Sequence, residues 1–205
     1  MSAARAILVT GFEPFGGETV NASWEAAKRL DGWSCGDWTA VVRRLPCAYD
    51  ASASELIEAF EALRPEAVLM TGQAASRALV SVERIARNLD DAAAPDNQGC
   101  VRRGAKIAPD APARLETQAP ATEIARAIRE AGVAARVSRN AGGFVCNHLY
   151  FATLRYLPGR PQAKRAVFVH LPATPEQTPP NANYSRLSPE AAARALKAAA
   201  VTLMR

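Results

Sequence analysis

Three short, uninterrupted apolar runs constrain this chain most: Ala6-Ile7-Leu8-Val9-Thr10, Ala67-Val68-Leu69-Met70 and Arg165-Ala166-Val167-Phe168-Val169-His170. A strand that is apolar at successive positions, rather than at alternate ones, has both faces covered, and helices on both sides of a mostly parallel sheet supply that cover. The intervening segments have the required helical spacing. Asn21 to Leu30 carries Trp24, Ala27 and Leu30 on one face. Ser52-Ala53-Ser54-Glu55 reads as a capping box ahead of Leu56, Ile57, Phe60 and Leu63, with Pro65 as the stop. Thr122 to Ala131 presents Ile124, Ala127 and Ile128 before a Gly132 cap, and Ser188-Pro189-Glu190 opens a last helix with Ser at the N-cap and Pro at its first position. Trp38 to Leu45, Val82 to Leu89 and Ala135 to Ser138 read as further strands. The expected fold is a three-layer α/β/α arrangement in one domain over residues 1–205, with a mostly parallel central sheet.

Charge excludes more than it suggests. The net charge of +5 is spread over scattered pairs such as Arg43-Arg44, Arg102-Arg103 and Lys164-Arg165, the pattern of a solvated surface rather than a nucleic-acid footprint. No apolar run approaches the roughly 18 residues of a membrane span. Met1-Ser2-Ala3-Ala4-Arg5 passes directly into a strand without a signal-peptide core, so a cytoplasmic protein is expected. Without a secretory signal, Asn21-Ala22-Ser23 and Asn183-Tyr184-Ser185 carry no glycosylation meaning. Cys35, Cys47, Cys100 and Cys146 lie far apart with no C-x-x-C pair, which predicts free thiols and no zinc or redox motif.

The chemistry concentrates in Ser138-Arg139-Asn140-Ala141-Gly142-Gly143-Phe144-Val145-Cys146-Asn147-His148-Leu149-Tyr150. Here a strand-like run meets a Gly-Gly pair, then a cysteine at the start of a helical segment. A cysteine in a first helical turn sits beside N–H groups without intrahelical partners, which favours the thiolate and can stabilise an oxyanion. A thiol nucleophile needs a base, and the chain has two histidines. His148 follows Cys146 by two residues and so points to another helix face, as a surface or packing residue. His170 closes a strand, where ligand crevices of α/β sheets lie, and is the better base. Glu83, inside an apolar segment, is the carboxylate with least structural reason to be there, although a buried ion pair with Arg84 or Arg87, or an exposed edge position, is the plain alternative. Two aromatic residues, Phe12 and Phe15, stand in the loop Gly11-Phe12-Glu13-Pro14-Phe15-Gly16-Gly17, which lacks a P-loop pattern. From Asp90 to about Ala121 the periodicity dissolves, and a connection of that length is commonly a flap or binding loop.

Five co-linear motifs carry a family resemblance: the Gly11–Gly17 loop, Glu83-Arg84-Ile85-Ala86-Arg87-Asn88, Pro95-Asp96-Asn97-Gln98-Gly99, Cys146-Asn147 and His170-Leu171-Pro172. In order and spacing the chain resembles the type I pyroglutamyl peptidases (pyrrolidone-carboxylate peptidases), a family of cysteine peptidases, from near Ile7 to the last helix. The resemblance implies a single α/β/α domain with Cys146 as nucleophile, His170 as general base and acid, and Glu83 as the orienting carboxylate. It implies that Phe12 and Phe15 flank a pyroglutamyl ring, with Gln73 at the pocket and Asn21 in a structural or pocket-lining role. It further implies peptides with N-terminal pyroglutamate as substrates, a homotetramer, and no metal or cofactor. A flat, uncharged lactam suits an aromatic slot, and partners for its N–H and C=O would reject a proline ring. Two positions depart from the family pattern. Ala93 stands where an arginine that steadies the oxyanion is usual, leaving that task to backbone N–H groups near Cys146 or to a relocated arginine such as Arg77. Gly143 stands where a bulkier residue is common. The alternatives are a catalytically impaired lactam-binding module and an amidase acting on another small cyclic amide.

Overall fold

The computed structural model describes residues 5–160, 165–177 and 186–205. Met1 to Ala4, Lys164 and the middle of the Pro-rich segment leading to Leu187, with Asn183-Tyr184-Ser185, lie outside the described residues. The strands are β1 (Arg5–Phe12), β2 (Ser34–Cys35), β3 (Trp38–Leu45), β4 (Ala67–Gln73), β5 (Val80–Glu83), β6 (Ile85–Arg87), β7 (Arg114–Glu116), β8 (Ala135–Ser138) and β9 (Arg165–Leu171). The helices are α1 (Ala22–Ala27), α2 (Tyr49–Leu63), α3 (Ala121–Glu130), α4 (Val145–Tyr156) and α5 (Pro189–Met204), with a 3-10 turn at Lys28–Leu30 after α1.

Seven strands form one sheet in the order β2-β3-β1-β4-β9-β5-β8. The centre is parallel, β3-β1-β4-β9, and β5 runs antiparallel to β9 while β8 is parallel to β5. The apolar runs behave as a two-sided sheet requires. Ile7, Val9, Leu69, Val167 and Val169 pack with α1, α3 and α5, whereas Leu8, Val68, Met70 and Phe168 pack with α2 and α4. A small second sheet pairs β6 with β7.

Several local expectations are corrected. The strand expected over Val82 to Leu89 breaks at Arg84, because β5 belongs to the main sheet and β6 turns away to pair with β7. The capping box at Ser52 does not start a helix. α2 begins at Tyr49, and Ser52 Oγ donates to the Tyr49 carbonyl instead. The cap comes from afar: the Asp96 carboxylate accepts from the Tyr49 N–H at 3.0 Å. At the other end Arg64 adopts a left-handed conformation, φ 47°, and its N–H donates to the Phe60 carbonyl before Pro65. The Ser188 cap on α5 stands as read, its hydroxyl accepting from Ala191 N–H. The long connection after Asp90 is strapped down: Asn88 bonds both the N–H and the carbonyl of Ala108, and Asn97 bonds Glu13 and Pro14 of the first loop.

Candidate active site

Register places the reactive groups. His170 lies opposite Gly72 across the β4–β9 pair, and Glu83 lies opposite Phe168 across β5–β9. Opposed residues share a face, so Gly72, His170, Phe168 and Glu83 all face α2 and α4, with Glu83 diagonal to His170. That diagonal brings Glu83 Oε1 to 2.9 Å from His170 Nδ1. Cys146 occupies the first turn of α4, which no side chain caps among the described residues, so its leading N–H groups stay available. Its sulfur sits over Gly72. A Cβ there would lie 2.8 Å from Cys146 Sγ and 2.7 Å from Phe168 Cζ. A bare α-carbon on β4 therefore leaves the thiol room over the residue that pairs with His170.

Glu83 is fully buried and His170 nearly so. Arg77 reaches Glu83 Oε1 at 2.5 Å and donates to the Asn140 carbonyl at 2.7 Å, while the Tyr150 hydroxyl donates to the Glu83 carbonyl. Sequence reasoning offered Arg84 or Arg87 as partners of Glu83; the partner is Arg77. Arg77 is thereby engaged with Glu83 and the Asn140 carbonyl behind the histidine. Burial holds the His170 imidazole below its ordinary pKa of 6.5, against the opposing pull of Glu83. Burial also pushes the Cys146 thiol up to about 12, and Glu83 adds to that, while Arg77 and the local backbone N–H pull the other way. The helix terminus was expected to lower this thiol, and in the free site desolvation outweighs it. The resting pair is thus a neutral thiol and a neutral imidazole whose Nδ1–H donates to Glu83, which leaves Nε2 as an acceptor.

Cys146 and His170 open onto a pocket of about 110 Å³ that Phe12, Phe15, Phe144, Asn21 and Gln73 help to line. The Phe15 and Phe144 rings stand 5.9 Å apart, and Tyr49 meets Phe144 edge-on at 5.6 Å. Both amide residues have structural duties as well. Gln73 Oε1 accepts from the Ala22 N–H, and Asn21 caps α1 through Ser23 while donating to the Glu13 carbonyl. All six pocket and catalytic candidates other than Glu83 border this cavity, and Glu83 stands behind His170. Cys47, Ala141 and Phe144 are lining residues that sequence reasoning missed. Phe144 stands two residues before Cys146, and Cys47 follows the Pro46 that closes β3.

Ala93 is exposed. Gly143 has a local reason: a Cβ would come within 2.6 Å of the Asp91 carbonyl oxygen, so the loop's close approach requires glycine. Among the described residues no group of three or more His, Cys, Asp or Glu side chains is placed to hold a metal ion. No described helix is long and apolar enough to cross a membrane.

An α/β/α fold that brings a helix-terminal cysteine, a histidine and a buried glutamate to the edge of a small aromatic pocket is built like a thiol hydrolase. The sequence profile of the pyroglutamyl peptidase family matches residues 5–205, and the chain belongs to that family. A pyrrolidone-carboxylate peptidase from an Enterobacter species is 41% identical over 201 residues, covering 98% of this chain and 94% of the relative. The crystal structure of pyroglutamyl peptidase I from Bacillus amyloliquefaciens superposes with a TM-score of 0.92 at 40% identity, covering 97% of this chain and 96% of that one. A mutant pyrrolidone carboxyl peptidase from the hyperthermophile Pyrococcus furiosus gives a TM-score of 0.90 at 32% identity, with 97% and 98% covered. The chain is an enzyme of this type.

Proposed function

We propose that this enzyme removes an N-terminal pyroglutamyl residue from peptides through an acyl-enzyme on Cys146, with residues 1–205 forming one catalytic domain. The lactam ring enters the slot between Phe12, Phe15 and Phe144, and its N–H and C=O take partners among the amide and backbone groups at Asn21 and Gln73. Cys146 Sγ attacks the carbonyl that joins pyroglutamate to the next residue as His170 Nε2 takes the thiol proton. Because both groups start neutral, proton transfer and attack are coupled, and the imidazolium that forms is balanced by the Glu83 carboxylate. The oxyanion faces the free N–H groups at the start of α4. His170 then protonates the leaving amine and the peptide departs. Water loses a proton to the same nitrogen, attacks the thioester, and releases pyroglutamic acid and the thiol.

The observation that carries this reading is the shared pocket of Cys146, His170 and three phenylalanines, closed behind by the His170–Glu83 hydrogen bond. Family resemblance supports a homotetramer, and four free cysteines suit a reducing, cytoplasmic compartment. Incubating a pyroglutamyl peptide with the protein and following it by mass spectrometry tests the chemistry. The expected products are pyroglutamic acid and the shortened peptide, both absent with Cys146→Ala. Saturable binding without products would favour a lactam-binding module instead.

A further inference from the structure

The two residues after Cys146 face away from the pocket and do not touch substrate in the mechanism above, yet both are buried and both bind the same stretch of chain. Asn147 accepts from the Arg87 N–H and donates to the Arg87 and Leu89 carbonyls, each at 2.9 Å. His148 Nδ1 lies 2.8 Å from Asp90 Oδ2, which Arg102 also reaches at 3.0 Å. One residue further, the Asp91 N–H donates to the Gly143 carbonyl at 2.8 Å, and Arg87 donates to the Gly142 carbonyl at 3.0 Å. Residues 87–91 therefore form a strap tied to α4 just after the cysteine and to the Gly142-Gly143 segment just before it.

We infer that His148 is a positioning residue for the proposed reaction: through Asp90 it holds the strap that fixes the Gly143 peptide, and with it the backbone N–H groups facing the oxyanion. Asp90 also pairs with Arg102, and the His148 ring meets Tyr49 edge-on at 5.6 Å. Asp90 is fully buried, its second oxygen Oδ1 has no hydrogen-bond partner among the described residues, and His148 supplies the one bond that ties this carboxylate to the nucleophile's own helix. The imidazole donates from Nδ1 to the carboxylate. Its Nε2 side borders a separate cavity of about 440 Å³ and lies 3.4 Å from Asp50, which Arg102 links in turn to Asp90. Loosening the strap shifts oxyanion donors, which matter in the transition state and little in ground-state binding, so the loss falls on kcat rather than KM.

The inference rests on the pyroglutamyl-peptidase reading for its kinetic arm and on geometry alone for its second arm. Three variants separate the roles. His148→Asn keeps an amide N–H close to the Nδ1 position, whereas His148→Gln moves it away from Asp90 and His148→Phe removes it. The expectation is that Gln and Phe lower kcat on a pyroglutamyl-amide by about tenfold to a hundredfold with KM nearly unchanged, while Asn retains most of the rate. Rates are taken per thiol alkylatable at Cys146, so misfolded protein does not count. Hydrogen exchange by mass spectrometry on the substrate-free protein should show faster exchange in peptides covering 87–91 and 141–146 in the Gln variant, and wild-type exchange in the Asn variant. If wild type cleaves nothing, the functional reading falls and the exchange arm still decides the strap. Unchanged exchange in His148→Gln, equal loss in Asn and Gln, or an effect confined to KM overturns the inference.

Discussion

At Gly72 the geometry of the thiol comes down to one missing methyl group. A Cβ would press on both Cys146 Sγ and Phe168 Cζ, and both belong to packed elements that yield little. Gly72→Ala should lower kcat/KM by at least about a hundredfold, while overpacking removes only about 1–3 kcal/mol of stability, so circular dichroism still reports a folded protein. In the proposed mechanism His170 gives the acid limb of the pH profile. It acts as a base only when neutral, and burial keeps its pKa below 6.5. Activity should therefore fall with pH below 6.5, later than an ordinary histidine would dictate. Arg77 is one of the influences that lower His170. Arg77→Gln leaves Glu83 facing His170 with less competition, so the limb should move to higher pH in the kcat/KM profile. A limb that stays put would detach Arg77 from the histidine's titration.

Elements meet the site through loops, and here the motif Pro95-Asp96-Asn97-Gln98-Gly99 earns its place. Asp96 accepts from the N–H groups of Tyr49, Gln98 and Cys100, and so caps α2 from a loop 47 residues away in sequence. Asp96→Ala should destabilise the protein by about 1–3 kcal/mol, seen as a lower Tm. Asn97 ties that loop to Glu13 and Pro14, which sit between Phe12 and Phe15. Asn97→Ala frees the aromatic slot, so KM should rise several-fold with kcat within about twofold; a kcat loss alone would contradict the slot assignment. The strands and most helices were legible because burial on two faces writes itself into local apolarity. β3 and β8 match their expected bounds, Trp38–Leu45 and Ala135–Ser138. The start of α2 was not legible, because its cap is a tertiary contact and Ser52-Ala53-Ser54-Glu55 offered a local imitation. Nor was the turn of β6 away from β5, since Val82 to Leu89 has one apolar pattern and two destinations.

Across the whole molecule the buried ionisable groups bound the pH range of the fold. His170 is held neutral in the folded state, so its contribution is complete above 6.5 and is lost as pH falls from 6.5 towards the lower folded value. Burial raises the thiols of Cys47 and Cys146 above their ordinary 9.0, so stability is complete below 9.0 and declines as pH rises beyond it. Urea midpoints should accordingly peak between those limits, and a midpoint that climbs towards acid would contradict the buried neutral histidine. At this scale the layers and the Cys146, His170 and Glu83 constellation were readable from motif order. The role of Gly72 was not, because it depends on the register of β4 with β9; nor were the Arg77 contact with Glu83, set by the loop between β4 and β5, and the pocket face of Phe144, set by its packing against Phe15 and Tyr49. The most direct test of the account compares kcat/KM for a fluorogenic pyroglutamyl-amide with the matching prolyl-amide. The expected result is cleavage of the pyroglutamyl compound, at least about a thousandfold preference over the prolyl one, and loss of activity in Cys146→Ala. Comparable cleavage of both, or turnover that survives Cys146→Ala, would contradict it.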